Sequence, residues 1–296
     1  MNTFSIDQQV SDLGIQAIAF IVPGVTVPTD TSPALDHEIV TSEKSILAAT
    51  DPKTLKTEPE FKAFRAVHAQ VGKAAKSEVA APETLLRLLH RAERLPRINP
   101  LVDIYNLVSA ETRLAFGAHD LTTIAGDVRL VMTTGTERFI PLGATDPVPV
   151  PAGEYAYLDD EDVLCRLEVR QCEKSKATPQ TSEALFIIHA GPGRDRADLT
   201  TAKGRLAALL AEHLGAQPPI DLEALACVPN TTPPCPQIRE STRARPIGTA
   251  ARTGSTPISP MHRCVKRCWT RSRGSCPPGR VLLWTRGPAA AEPWRD

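Results

Sequence analysis

Four side chains able to do chemistry, Asp103, Asn106, His119 and Asp120, fall in one largely apolar stretch, Leu95–Val131. An imidazole beside a carboxylate can be held in a fixed orientation and used as a base or a hydrogen-bond donor. An asparagine amide both donates and accepts, which suits a ribose hydroxyl, a water or an ester carbonyl. Gly117, two residues before His119, lets a backbone or ligand approach closely. With no Ser–His pair in the stretch, the chemistry on offer is a positioned water and a polarised carbonyl rather than a covalent nucleophile. The plainer alternative is structural. Asp103 and Asn106 could simply bond nearby backbone, and His119-Asp120 could be an ordinary turn pair.

The elements that must carry these residues can be read from periodicity. Asn99-Pro100 has the form of an N-cap followed by Pro at the first helical position, so a helix is expected over 101–109. Its apolar face is Leu101, Ile104, Tyr105 and Val108, with Asp103 and Asn106 one turn apart on another face. Gly117–Asp120 then lies at a helix-to-strand junction. Upstream, Ile15–Val22 reads as a buried strand, and Leu35–Ala49, Glu58–Val71 and Pro82–Leu95 as helices. Downstream, Val128–Thr134, Arg138–Pro141, Glu154–Leu158 and Leu164–Val169 read as strands, and Ala184–Ala190 as a central one. A last helix starts near Asp198 and stops at Gly215. The fold class expected is α+β, a mixed sheet with packed helices.

Composition bounds the rest. In 296 residues a hydrophobic content of 42% suffices for a real core, and the net charge is zero. That zero hides an acidic body and an arginine-rich end, where all three Trp lie. Residues 217–296 carry Pro-Pro pairs and no periodic apolar face, and are read as a disordered or non-native tail. Sparse body thiols, no secretory leader and no long apolar run suggest a cytoplasmic protein without a membrane span. Gly191-x-Gly193 fails as a dinucleotide fingerprint because Arg196 stands where a third glycine belongs, leaving only a phosphate contact through Arg194 and Arg196 to consider. His262, Cys264, Cys268 and Cys276 lack a second paired motif, and no metal or cofactor is expected.

Several motifs in order carry a resemblance: Val102-Asp103, Asn106, Asp120-Leu121, the acidic turn Tyr157-Leu158-Asp159-Asp160, and Thr178, Thr181 and Ala184–Ile188. Together they resemble the B3/B4 domain of the beta subunit of bacterial phenylalanyl-tRNA synthetase, over about Asn99 to Ala190. The chain is more similar to free-standing B3/B4 proteins, since no synthetase core is visible. In that family the domain hydrolyses wrongly charged tRNA. The resemblance therefore implies a stand-alone tRNA-related domain acting on aminoacyl-tRNA, or a non-catalytic RNA- or small-ligand-binding module that has lost the editing activity. It does not imply ligation of amino acid to tRNA.

Two departures accompany the resemblance. The family's editing histidine falls on Gly117, with His119 displaced by two, and positions two apart in an extended segment face the same side. The family's glycine-rich pocket floor is replaced by Cys165–Cys172. The resemblance implies His119, Asn106 and Asp120 as the catalytic set, and Asp103, Gly117, Arg166, Arg170, Gln171 and Lys174 as substrate-binding. The domain division expected is 1–98 packing on a 99–216 B3/B4-like core, followed by the 217–296 tail.

Overall fold

The computed structural model of the chain describes residues 3–222 and the backbone of Ala224–Leu225. Before the central helix come β1 (Phe4–Ile6), α1 (Gln8–Ser11), β2 (Gln16–Pro23), α2 (Pro33–Ala49), α3 (Pro59–Val71) and α4 (Ala81–Ala92). Next is α5 (Pro100–Thr112), then the strands β3 (Ala115–Asp120), β4 (Val128–Met132), β5 (Arg138–Phe139), β6 (Val148–Pro149), β7 (Tyr155–Leu158), β8 (Val163–Arg166), β9 (Arg170–Gln171) and β10 (Glu183–Ala190). The last described elements are α6 (Arg196–Leu214), β11 (Ile220–Asp221) and β12 (Ala224–Leu225).

The helix starts follow local chemistry. Ser32 accepts a bond from the Leu35 N–H ahead of Pro33, and Asn99 accepts one from Val102 N–H ahead of Pro100. The cap of α6 is Asp195, three residues before the expected Asp198. The two carboxylates form a reciprocal capping box, so Asp198 closes the first turn rather than opening it. Gly215, in the left-handed conformation at φ 66°, ends that helix.

Two main sheets stack. One is antiparallel, in the order β11-β2-β10-β3; the other is mixed, in the order β12-β1-β4-β7-β8-β9, with β1 parallel to both its neighbours. Alternation along β2 and β10 divides the interior. Ile18, Phe20, Val22, Ala184, Phe186 and Ile188 face the helices, whereas Ala17, Ala19, Leu185 and Ile187 face the mixed sheet. Helix α3 serves both cores, with Phe61 and Phe64 in the first and Val67 and Val71 in the second. This is the α+β architecture expected, with a mixed sheet and packed helices.

The differences are local. Helix α5 is buried all round from Pro100 to Ala110, so it lies in the middle of the helical layer and its polar residues are buried with its apolar ones. Gly117–Asp120 lies wholly inside β3. The single strand expected over 164–169 is a hairpin, β8 and β9, turning through Leu167 at φ 53°. Strand pairing continues past residue 216, where β11 adds to β2 and β12 adds to β1. These two-residue strands are too short to leave a periodic pattern. Residues 226–296, with the candidate zinc set, lie outside the described residues.

Candidate functional site

Strand β3 pairs with β10 on one side, placing His119 opposite Leu185 and Gly117 opposite Ile187. Both therefore face the core between the two sheets. A Cβ at residue 117 would lie 3.5 Å from His119 Nε2, so the ring leans over the bare face of that glycine. The other edge of β3 is closed by the loop after β9. Asp120 N–H donates to Ser175 O at 2.9 Å, and the Gln171 amide donates to Ala118 O at 2.7 Å. This covers an edge that would otherwise invite foreign strands.

The same loop reaches the imidazole. His119 is 1% exposed, with Nδ1 2.6 Å from Ser175 Oγ and 3.4 Å from Gln171 Nε2. Cys172 Sγ lies 3.1 Å beyond, against Ser175 Oγ. Burial pushes the His119 pKa down to about 4, so the ring is neutral near pH 7. The Nε2 atom makes no hydrogen bond among the described residues.

Asp120 points to the helical face. Its carboxylate accepts from Thr122 N at 3.0 Å, Thr122 Oγ1 at 2.6 Å and Thr181 Oγ1 at 2.7 Å. Burial alone would raise its pKa; these bonds to the charged form hold it below the usual carboxylate range. Asp120 thus fastens the end of β3 to the turn before β10, and it makes no bond to the His119 ring among the described residues.

Asp103 accepts from Ile98 N at 2.7 Å and from Thr31 Oγ1 at 3.2 Å, stapling two loops to α5. Burial raises its pKa to about 6 against those bonds. Asn106 is 9% exposed, and its amide makes no hydrogen bond among the described residues. Neither residue is bonded to the His119 cluster, since α5 packs on the opposite face of the antiparallel sheet.

The basic residues are all paired. Arg166 forks onto Glu154 at 2.5 and 2.9 Å, Arg170 lies 3.3 Å from Glu78, and Lys174 Nζ lies 2.8 Å from Asp159 and 3.1 Å from Glu161. The α6 N-terminus is also occupied. Its carboxylate caps and the Arg194 pairs with Glu60 and Asp198 satisfy the groups that a phosphate would need. Beside it, an open cleft of about 290 Å³ is lined by Glu60, Glu111, Asp198, Arg113 and Arg194, three acids against two arginines. Among the described residues no group of His, Cys, Asp and Glu has metal-holding geometry, and no helix is long and apolar enough to cross a membrane.

A second buried polar cluster centres on Glu168, between β8 and β9. Glu168 holds His68 Nε2 at 2.8 Å, accepts from Tyr155 OH at 2.5 Å and lies 4.0 Å from His189 Nε2. His189 Nδ1 meets Tyr157 OH at 2.6 Å. Burial lowers the His68 pKa, but Glu168 beside it wins and the net shift is upward; His68 in turn holds Glu168 below its usual range. Burial takes His189 down to about 4, opposed by Glu168 and helped by the charge on His68. Sequence reasoning gave this cluster no role. The available clues were His68 on the apolar face of α3 and a histidine inside ALFIIHA. Ser175 was missed because its partner His119 is 56 residues away, and Cys172 joins the cluster only through Ser175.

No curated protein matches the chain. Among solved structures, an N-terminal fragment of the phenylalanyl-tRNA synthetase beta-subunit from Pyrococcus horikoshii is similar at 16% identity and a TM-score of 0.42, over 76% of this chain and 55% of that one. The chain thus spans about half the length of that fragment. The B3/4 domain family model matches residues 63–213, taking in both histidine clusters and every predicted site residue, and the chain belongs to the B3/4 domain family.

Proposed function

We propose that this protein is a tRNA-related domain that hydrolyses mischarged aminoacyl-tRNA at the His119 site. One observation carries the reading: a buried, neutral imidazole whose Nε2 is unbonded and leans over Gly117. Hydrolysis of an aminoacyl ester needs a water and a carbonyl oxygen held in register, with a polar group ready for the charge that develops. A neutral imidazole supplies such a group at physiological pH.

Deacylation of a panel of mischarged tRNAs by the full chain tests the reading. Turnover on at least one member is expected, with His119→Ala lowering it by about a hundredfold. No turnover on any member sinks it. Retained tRNA binding would then favour a binding module without hydrolysis. That second reading has its own observation: Glu168, His68 and Tyr155 form a buried ionic cluster in the segment around residue 168, and Arg166, Arg170 and Lys174 are neutralised within the chain.

A further inference from the structure

We infer that Ser175 and Gln171 are positioning residues that hold His119 as the Nε2–H tautomer, so that the ring serves as a hydrogen-bond donor to the substrate carbonyl rather than as a base. The inference rests on the hydrolase reading for its substrate and on geometry for its tautomer.

The orientation of the Gln171 amide is set by Ala118 O, an acceptor only, 2.7 Å away. The reverse orientation would press two oxygens together. The nitrogen of that amide therefore also faces His119 Nδ1, at 3.4 Å. Ser175 Oγ lies 2.6 Å from Nδ1 and 3.1 Å from Cys172 Sγ. A buried Cys172 thiol, its pKa raised by burial, stays protonated and donates to Ser175 Oγ. The hydroxyl proton then runs on to Nδ1. Thiol, hydroxyl and amide thus form a relay of donors that ends on one ring nitrogen. With the Nδ1 lone pair taken from two sides, the single proton of the neutral ring sits on Nε2, over Gly117. Among the described residues no carboxylate is hydrogen-bonded to the ring to draw a second proton. A donor aimed at a carbonyl oxygen stabilises the developing oxyanion, a role distinct from deprotonating water.

The test uses the full chain labelled with 15N-histidine, with long-range 15N–1H correlation spectra at pH 7. His119→Gln identifies the His119 signals among those of seven histidines. The Nε2–H pattern is expected for His119 in the unmodified protein. Ser175→Ala is expected to mix the tautomers and to lower kcat for deacylation by about tenfold to a hundredfold, with KM little changed. An Nδ1–H pattern or an imidazolium in the unmodified protein overturns the inference. An Nε2–H pattern in a protein that hydrolyses no aminoacyl-tRNA upholds the assignment to Ser175 and Gln171 while the hydrolase reading falls, so the two failures are separable.

Discussion

Two histidine clusters are buried on the same face of the antiparallel sheet, and they hold protons differently. His119 is surrounded by a hydroxyl, an amide and a thiol. His68 places Nε2 2.8 Å from the Glu168 carboxylate and Nδ1 3.3 Å from Glu78 O, so both nitrogens face acceptors, an arrangement that favours the doubly protonated ring. Burial is nearly equal, at 1% exposure each. The partners decide the charge. A carboxylate brought into the core takes an imidazolium with it, whereas neutral donors leave the ring neutral with one nitrogen free. The closed cluster is centred on the His68–Glu168 ion pair, and His189 Nε2 within it has no hydrogen-bond partner among the described residues; the open cluster holds its ring by neutral groups alone and leaves Nε2 over Gly117.

The largest expected effect comes from removing the hub of the closed cluster. Glu168→Ala leaves His68 buried without its counter-charge and Tyr155 OH without its acceptor. It should cost about 3–5 kcal/mol, as breaking a buried ion pair does. Denaturant unfolding of the two proteins measures it. A loss under about 1 kcal/mol would mean the cluster is not ionic.

Acid titration separates the clusters next. His119 and His189 have folded pKa values of about 4, below the ordinary 6.5. Between those values the unfolded chain binds protons that the folded protein refuses, so stability falls as pH falls from about 6.5 to 4, by up to about 3 kcal/mol for each ring. Asp103, raised to about 6, works in the opposite sense and offsets roughly one of them. His68 has the reverse sign from the two neutral rings. Its contribution is present below about pH 6.5 and is lost as pH rises through its raised folded value. Glu168, held low, contributes above the ordinary carboxylate pKa of about 4.5 and loses that contribution in acid. Replacing one neutral ring, His189→Phe, should remove about half of the histidine-driven acid loss in a series of melts from pH 7 to 4.5. An unchanged slope would show that His189 is already charged in the folded state.

These contrasts explain what was legible in the sequence. Helix caps are local, so Asn99-Pro100 could be read directly, whereas the Ser32-Pro33 cap went unread and that helix was expected only from Leu35. The alternation of ALFIIHA on both faces identified β10 as central before any pairing was known. The two-position step from Gly117 to His119 correctly placed both on one face. What could not be read were partners supplied by distant segments. Ser175 reaches His119 only because the loop after β9 closes the edge of β3, and Glu168 reaches His68 only because the sheets stack. Asn106 looked like a neighbour of His119 in sequence, yet the antiparallel sheet stands between them. Short strands such as β11 and β12 are held by their partners rather than by their own pattern.

The smallest effect tests the open cluster at its outer end. If the donor relay runs from Cys172 through Ser175 to His119, a hydroxyl should replace the thiol with its direction preserved. Cys172→Ser should therefore change stability by less than about 1 kcal/mol and leave the His119 tautomer as it is, because a serine hydroxyl donates at least as well as a thiol. Cys172→Ala removes the first donor while leaving the Ser175 proton on the ring, and should also keep the tautomer. A tautomer that switches in either variant would place the source of polarity at Cys172 rather than at Ser175 and Gln171. The relay would then resemble the His68 cluster, where one residue sets the charge of the rest.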